Sequence, residues 1–212
     1  DLSFKIPAGQ VVGIVGPSGS GKSTLIDILL GLIQPLDGKI VVDGINLDNK
    51  NIRYWQNNIG FVAQSIFLSD CSIAENIAFG IPKEQIDFDK VSKSIQLAHL
   101  QDFVESLSDG VNTQVGERGV QLSGGQRQRI GIARSLYNEA EILIFDEATS
   151  SLDGVTEKMI MEAIHKFSGE KTIIMIAHRL KTIEKCDKIF FINRGKLIDQ
   201  GRYDELIERN EL

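Results

Sequence analysis

The chain has 212 residues, 42% of them apolar and 25% charged, which is the balance of an ordinary globular domain. A chain of this length buries roughly 70% of the surface its unfolded form exposes, so a disordered chain, a collagen and a small cysteine scaffold are all excluded. Lys plus Arg (23) against Asp plus Glu (29) gives a net charge of −6, which argues against general nucleic-acid binding because phosphate-neutralising surface is lacking.

In chain order, Leu2 to Ile6 and Val11 to Val15 read as strands joined by a turn at Pro7-Ala8-Gly9. The second is a continuous apolar run, as a strand buried on both faces should be. Lys22 to Leu32 reads as a helix, with Leu25, Ile28, Leu29 and Leu32 at i, i+3, i+4 and i+7. Ile40-Val41-Val42 and Ile45-Asn46-Leu47 flank Asp43-Gly44, a strong hairpin signal. From about Ser72 to Tyr137 the pattern turns helical and strand-poor. Val91, Ile95 and Ala98 share one stripe there, and Ile130, Ala133 and Tyr137 another. Strands return at Ile142 to Phe145, Thr172 to Ala177, Lys188 to Ile192 and Lys196 to Asp199. This alternation argues for a mainly parallel α/β sheet. Residues 72–137 form a helical subdomain inserted into a core built from 1–71 and 138–212. No apolar run approaches the ~20 residues of a membrane span. Asp1-Leu2-Ser3-Phe4 is not a basic-then-apolar leader. Without an initiator Met, and opening inside a strand-like run, the chain reads as a segment of something longer. Cys71 and Cys186 make no C-x-x-C pair and read as reduced thiols of a cytosolic protein.

Three segments carry chemistry. Gly16-Pro17-Ser18-Gly19-Ser20-Gly21-Lys22-Ser23 fits G-x-x-x-x-G-K-[ST], after a strand and before a helix, as that pattern requires. Its glycines let the backbone wrap a phosphate, and the N–H groups of the loop and helix start point at the anion. Lys22 adds a full positive charge for the β- and γ-phosphates, and Ser23 a hydroxyl for Mg²⁺. Ile142-Leu143-Ile144-Phe145-Asp146-Glu147 is a buried strand ending in two acids. Ligands of a parallel sheet sit at strand carboxyl ends, so Asp146 fits as a holder of Mg²⁺ and Glu147 as the base for an attacking water. Leu122-Ser123-Gly124-Gly125-Gln126 is a second anion-ready helix start, with Ser123 as the N-cap of a helix to Tyr137. A given pentamer arises by chance on the order of once in a thousand such chains, which makes it the most informative segment.

With that pentamer in view, the chain resembles the nucleotide-binding domain of an ATP-binding cassette transporter. Leu122 to Gln126 is similar to the family's signature motif, and Arg127-Gln128-Arg129 to its usual continuation. The resemblance spans essentially the whole chain. It implies a RecA-like P-loop NTPase core with an N-terminal antiparallel β portion and the inserted helical subdomain. Gly16 to Ser23 resembles Walker A, which implies nucleotide contacts from Gly16, Ser18, Gly19, Ser20, Gly21, Lys22, Ser23 and Thr24. Ile142 to Asp146 resembles Walker B, with Glu147 as the catalytic glutamate. Gln64, in Phe61-Val62-Ala63-Gln64, resembles the Q-loop glutamine, which touches Mg²⁺ or the attacking water. The implied metal set is Ser23, Gln64 and Asp146. His178 resembles the switch histidine that contacts the γ-phosphate; His99 and His165 read as structural. Ser151-Leu152-Asp153 resembles the D-loop, although Asp153 also reads as the cap of a helix from Gly154 to Phe167.

The family arrangement implies two domains meeting head to tail around two ATP molecules, with Ser123, Gly125, Gln126 and Asp153 facing the partner's nucleotide. A homodimer is the expected form, with Mg²⁺ as cofactor and no nucleic acid as partner. Thr113 to Gly119 resembles the X-loop of exporters, where Glu117 and Arg118 would meet the intracellular loops of membrane helices. An exporter implies a transmembrane domain upstream on the same polypeptide and a place on the cytoplasmic face of a membrane. Two positions depart from the family. The aromatic that stacks on adenine falls upstream of Leu2, a role not given to Tyr54 or Trp55. Ala63 stands where a proline is common. Tyr54 to Gly80 resembles bacterial exporters of lipid-linked sugars. The alternatives are a soluble cassette ATPase without a transport role, whose usual second cassette or coiled-coil insertion is absent here, and a small-molecule kinase, which would not explain Ser123 to Gln126.

Overall fold

The computed structural model of the chain describes residues 2–149, 151–177 and 180–210. Strands β1 (Val11–Val15), β4 (Ile59–Val62), β5 (Ile142–Asp146), β6 (Thr172–Ile176), β7 (Lys188–Asn193) and β8 (Lys196–Gly201) form a six-stranded sheet in the order β4-β5-β6-β1-β7-β8. Its neighbours run parallel except β7 and β8, which pair as an antiparallel hairpin. Strands β2 (Val41–Val42) and β3 (Ile45–Asn46) pair separately around Asp43-Gly44.

Alternation along the buried strands divides their side chains between two faces. Val12, Ile14, Ile144, Ile174 and Phe190 lie on one face, against Leu25 and Ile26 of α1 (Lys22–Leu29). Val11, Leu143, Phe145, Ile173 and Met175 lie on the other, with Ile132 of α6 (Gly124–Tyr137) and Ile160 of α7 (Gly154–His165). These strands are apolar at consecutive positions because both faces are covered.

After α2 (Ile52–Asn57) and β4, the described chain forms α3 (Ile73–Ile77), α4 (Phe88–Leu97), α5 (Gln101–Glu105) and α6, with no strand before β5. Ser72 opens α3 with a capping box: its Oγ accepts from the Glu75 N–H, and the Glu75 carboxylate accepts from the Ser72 N–H. Arg134 of α6 fastens this region, donating to the carbonyls of Asn76 (2.8 Å) and Phe67 (2.9 Å). The remaining helices are α8 (Leu180–Ile183) and α9 (Tyr203–Asn210). No described helix is long and apolar enough to cross a membrane.

Two sequence expectations change, and one strand is added. Leu2 to Ile6 forms no strand, although Leu2, Phe4 and Ile6 do turn toward the core and Phe4 meets Phe190 at a 4.7 Å ring separation. The alternation is that of a strand, but no neighbouring strand supplies a ladder. The first helix ends at Leu29 rather than Leu32. Gly31 takes φ +69°, and the N–H groups of Gly31 and Leu32 return to the carbonyls of Ile28 and Asp27, a Schellman ending that leaves Leu32 exposed. Strand β4 had no sequence expectation at all. It is short, it contains Gly60, and Asn57-Asn58 is its one flanking turn signal.

Gly60 explains how α6 reaches the sheet. A Cβ there would stand 2.3 Å from the Ser135 carbonyl oxygen, a backbone atom with no way to swing aside. Gly60→Ala is expected to lower stability by about 1–3 kcal/mol, as overpacked cores do. Chemical denaturation of the variant against the parent checks this, and an unchanged midpoint would show that α6 shifts freely.

Candidate functional site

Strand β1 is buried along its whole length and delivers the chain to Gly16. Gly16 has no room for a side chain, since a Cβ would lie 2.0 Å from the Ile192 carbonyl oxygen and 2.9 Å from Ser20 Oγ. Ser20 and Lys22 are buried, whereas Ser18, Gly19, Ser23 and Thr24 are exposed. Helix α1 begins at Lys22 behind Gly21, and no side chain caps it among the described residues. Its first N–H groups are therefore left for an anion.

The Lys22 ammonium lies inside the loop and donates to the carbonyls of Gly16 (2.8 Å) and Pro17 (3.0 Å). Burial pushes its pKa below the ordinary lysine value, while Glu147 and then Asp146 pull it back up. Both acids of the β5 end are thus electrostatic neighbours of the phosphate loop, through the sheet order that sets β5 and β6 beside β1.

Glu147 follows Asp146 with φ +49°, a left-handed conformation that costs a non-glycine residue of order 1–3 kcal/mol. Its N–H donates to the Ile176 carbonyl at 3.1 Å, and its Oε2 accepts from Gln64 Nε2 at 2.8 Å, across 83 residues of sequence. Gln64 arrives two residues after β4, the strand next to β5. Lys22, Asp146, Glu147 and Gln64 thus converge at one end of the parallel sheet.

The second helix start stands as its sequence suggests. Ser123 Oγ accepts from the Gln126 N–H (3.2 Å), and Gln126 Oε1 accepts from the Ser123 N–H (2.8 Å), a capping box at an exposed position. Gly124 and Gly125 lie beside Ser151 and Leu152, at ordinary contact distance even for an added Cβ. Asp153 caps α7, with Oδ1 accepting from the N–H groups of Val155 (3.1 Å) and Thr156 (3.0 Å). Those hydrogen bonds, from Thr156 first, hold its carboxyl below the usual range. Glu117 is exposed on a short 3-10 turn. His178 and the side chain of Arg118 lie outside the described residues.

Two groups gain a role only from the structure, Gln128 having entered the sequence reading solely within the continuation of the signature motif. Gln128 is 2% exposed and touches both Glu147 and Ser151. Its signal was a polar residue on the same helical stripe as buried Ile132. Glu157 of α7 accepts from Thr149 Oγ1 (2.7 Å) and Thr182 Oγ1 (3.3 Å), joining the segment after β5 to α8. No local spacing announces that bridge.

A phosphate loop opening onto a mainly parallel sheet, two acids at the end of a nearby strand and an inserted helical region define a P-loop α/β domain. The family model for ABC transporters matches residues 1–150. The chain is 42% identical over its full length to an ATP-dependent lipid A-core flippase of Cupriavidus pinatubonensis, of which it spans 36%. It is 43% identical over 99% of its length to ABC transporter B family member 17 of Arabidopsis thaliana, of which it spans 17%. Multidrug resistance protein 1 of Entamoeba histolytica is 42% identical over 98% of the chain, which spans 16% of that protein. Among solved structures, a bacterial Atm1-family ABC exporter with ATP bound superposes with a TM-score of 0.93 at 39% identity, covering 99% of this chain and 36% of the exporter. The chain belongs to the ABC transporter family, and its fold matches the corresponding third of an ABC exporter.

Proposed function

We propose that the chain binds and hydrolyses ATP and drives an exporter, working as a head-to-tail pair of such domains. The observation that carries this is the convergence of Lys22, Asp146, Glu147 and Gln64 beside the phosphate loop. Gly16 to Thr24 would hold the phosphates, with backbone N–H groups around the anion and Lys22 as the cation. Among the described residues no three His, Cys, Asp or Glu side chains gather as a metal cage. The hydroxyl of Ser23, the carboxylate of Asp146 and the amide of Gln64 form a hard oxygen donor set that fits Mg²⁺, which takes one or two carboxylates and fills its shell with phosphate oxygens and water. Ser23, Asp146 and Gln64 would hold it, and when bound it would neutralise charge on the phosphates.

Glu147 takes one proton from water as the water oxygen bonds to the γ-phosphorus. The bond from that phosphorus to the β-bridging oxygen breaks, leaving ADP and inorganic phosphate. Gln64 fixes the Glu147 carboxylate, and His178 would contact the γ-phosphate. Ser123, Gly125, Gln126 and Asp153 would face the nucleotide of a second copy. ATP would join the two and hydrolysis release them, a two-state element able to move a membrane domain.

The chain spans about a third of the flippase it resembles and less of the other two relatives. The rest of the protein would include that membrane domain, upstream on the same polypeptide, with this domain on the cytoplasmic face. Near-equal identity to a lipid A-core flippase and to a multidrug resistance protein argues that cargo is chosen outside this domain. The intact protein is expected to release free phosphate from Mg-ATP, to stop on adding EDTA and to resume with excess Mg²⁺. Phosphate appearing on an acceptor instead would make the domain a kinase.

A further inference from the structure

We propose that Gln128 is a positioning residue for the reaction at Glu147, through a carboxamide that ties the backbone of Glu147 and Ser151 to the helix opened by Ser123. The proposal rests on the hydrolytic reading above. Gln128 Oε1 accepts from the Ser151 N–H at 3.0 Å, and Nε2 donates to the Glu147 carbonyl at 3.4 Å. One partner is a donor and the other an acceptor, so the orientation of the amide is fixed. With 2% of the residue exposed, water has little access to replace either bond.

The location of these bonds gives them their effect. A left-handed glutamate persists only where its surroundings over-determine it. Among the described residues Glu147 is held by its N–H to Ile176 of β6, by its carbonyl to Gln128 of α6 and by its carboxylate to Gln64 in the loop after β4. Of these, the Gln128 bond alone reaches the helix that begins at Ser123. Gly124 and Gly125 lie beside Ser151 and Leu152 at the same place, close enough that an added Cβ would touch them. A displacement of the α6 start is therefore passed to the backbone that aims the base. Since that start would face the partner's nucleotide, Gln128 links occupancy of one site to the alignment of the base belonging to the other.

The test compares Gln128→Met, which removes both bonds, and Gln128→Glu, which keeps an acceptor for Ser151 but sets a carboxylate oxygen against the Glu147 carbonyl. Both are made in the intact protein and normalised to nucleotide-binding sites. A small misplacement of a reacting group is costly, so kcat is expected to fall about 10- to 100-fold in each. KM for ATP is expected to stay within about 2-fold, because the phosphate loop is untouched. In a Glu147→Gln background, adding Gln128→Met is expected to lower the residual turnover no further, as coupled residues behave. An unchanged kcat, a KM that rises in step with the loss, or an undiminished further loss in that background would overturn the proposal. If Glu147→Gln itself keeps full turnover, the hydrolytic reading fails instead, and amide exchange at Ser151 decides the tie. Faster exchange in Gln128→Met sustains it, and unchanged exchange overturns it.

Discussion

Glu147→Gln is expected to lower ATP turnover by about 10²–10⁴-fold, the usual contribution of a general base, while ATP binding is retained. The substitution keeps the length of the side chain and one oxygen able to accept from Gln64 Nε2, so the 2.8 Å tie has a successor. It also leaves the +49° backbone no worse off, since both residues branch alike. What it removes is a carboxylate able to take a proton. Lys22 keeps Asp146 as a neighbouring negative charge, so the cation of the phosphate loop is still supported against its burial. Phosphate release and equilibrium nucleotide binding, measured side by side, separate the two functions; turnover at the parent level would remove Glu147 as the base. The same variant arrests the proposed cycle before hydrolysis. Light scattering should therefore find a dimer with Mg-ATP and a monomer with Mg-ADP.

The two helix starts were legible in the sequence because each is a local device. The phosphate loop lies within eight consecutive residues whose turn chemistry and charge need nothing distant, and Ser123 and Gln126 cap their helix across three positions. Asp146 and Glu147 were legible as the polar end of a buried strand. Gln64 was not, from spacing alone. It acquires meaning only when β4 pairs with β5 and brings it to Glu147, and only the family resemblance singled it out. Gln128 and Glu157 are plain helical residues until tertiary packing hands them Ser151, Thr149 and Thr182 as partners. The same physics governs the fold. The continuous apolar run of β1 marks burial on both faces, whereas Leu2 to Ile6 has a strand's alternation and no partner to make it one. Strand β4 reverses that case: its partner β5 makes a strand of Ile-Gly-Phe-Val.

Ser123→Arg is expected to abolish ATP-driven dimerisation and, with it, turnover, while each monomer still binds nucleotide. Two effects act together at the start of α6. The Oγ that accepts from the Gln126 N–H is lost, and loss of such a cap costs about 0.5–2 kcal/mol. A cation then stands at the positive end of the helix dipole, long enough to occupy the space an incoming phosphate would need. Ser123→Ala separates these effects, because it removes the cap without adding charge or bulk. If cap loss alone mattered, both variants would fail alike. If the helix start receives the partner's nucleotide, Ser123→Ala keeps a weakened dimer and Ser123→Arg shows none. Made in the Glu147→Gln background, where the ATP-bound state accumulates, the comparison needs only mass by light scattering and nucleotide affinity. Lys22 and the loop from Gly16 belong to a different helix and bind through α1, so monomer affinity should not move. A Ser123→Arg chain that loses nucleotide as a monomer would place Ser123 at its own subunit's site and dismiss the head-to-tail pairing.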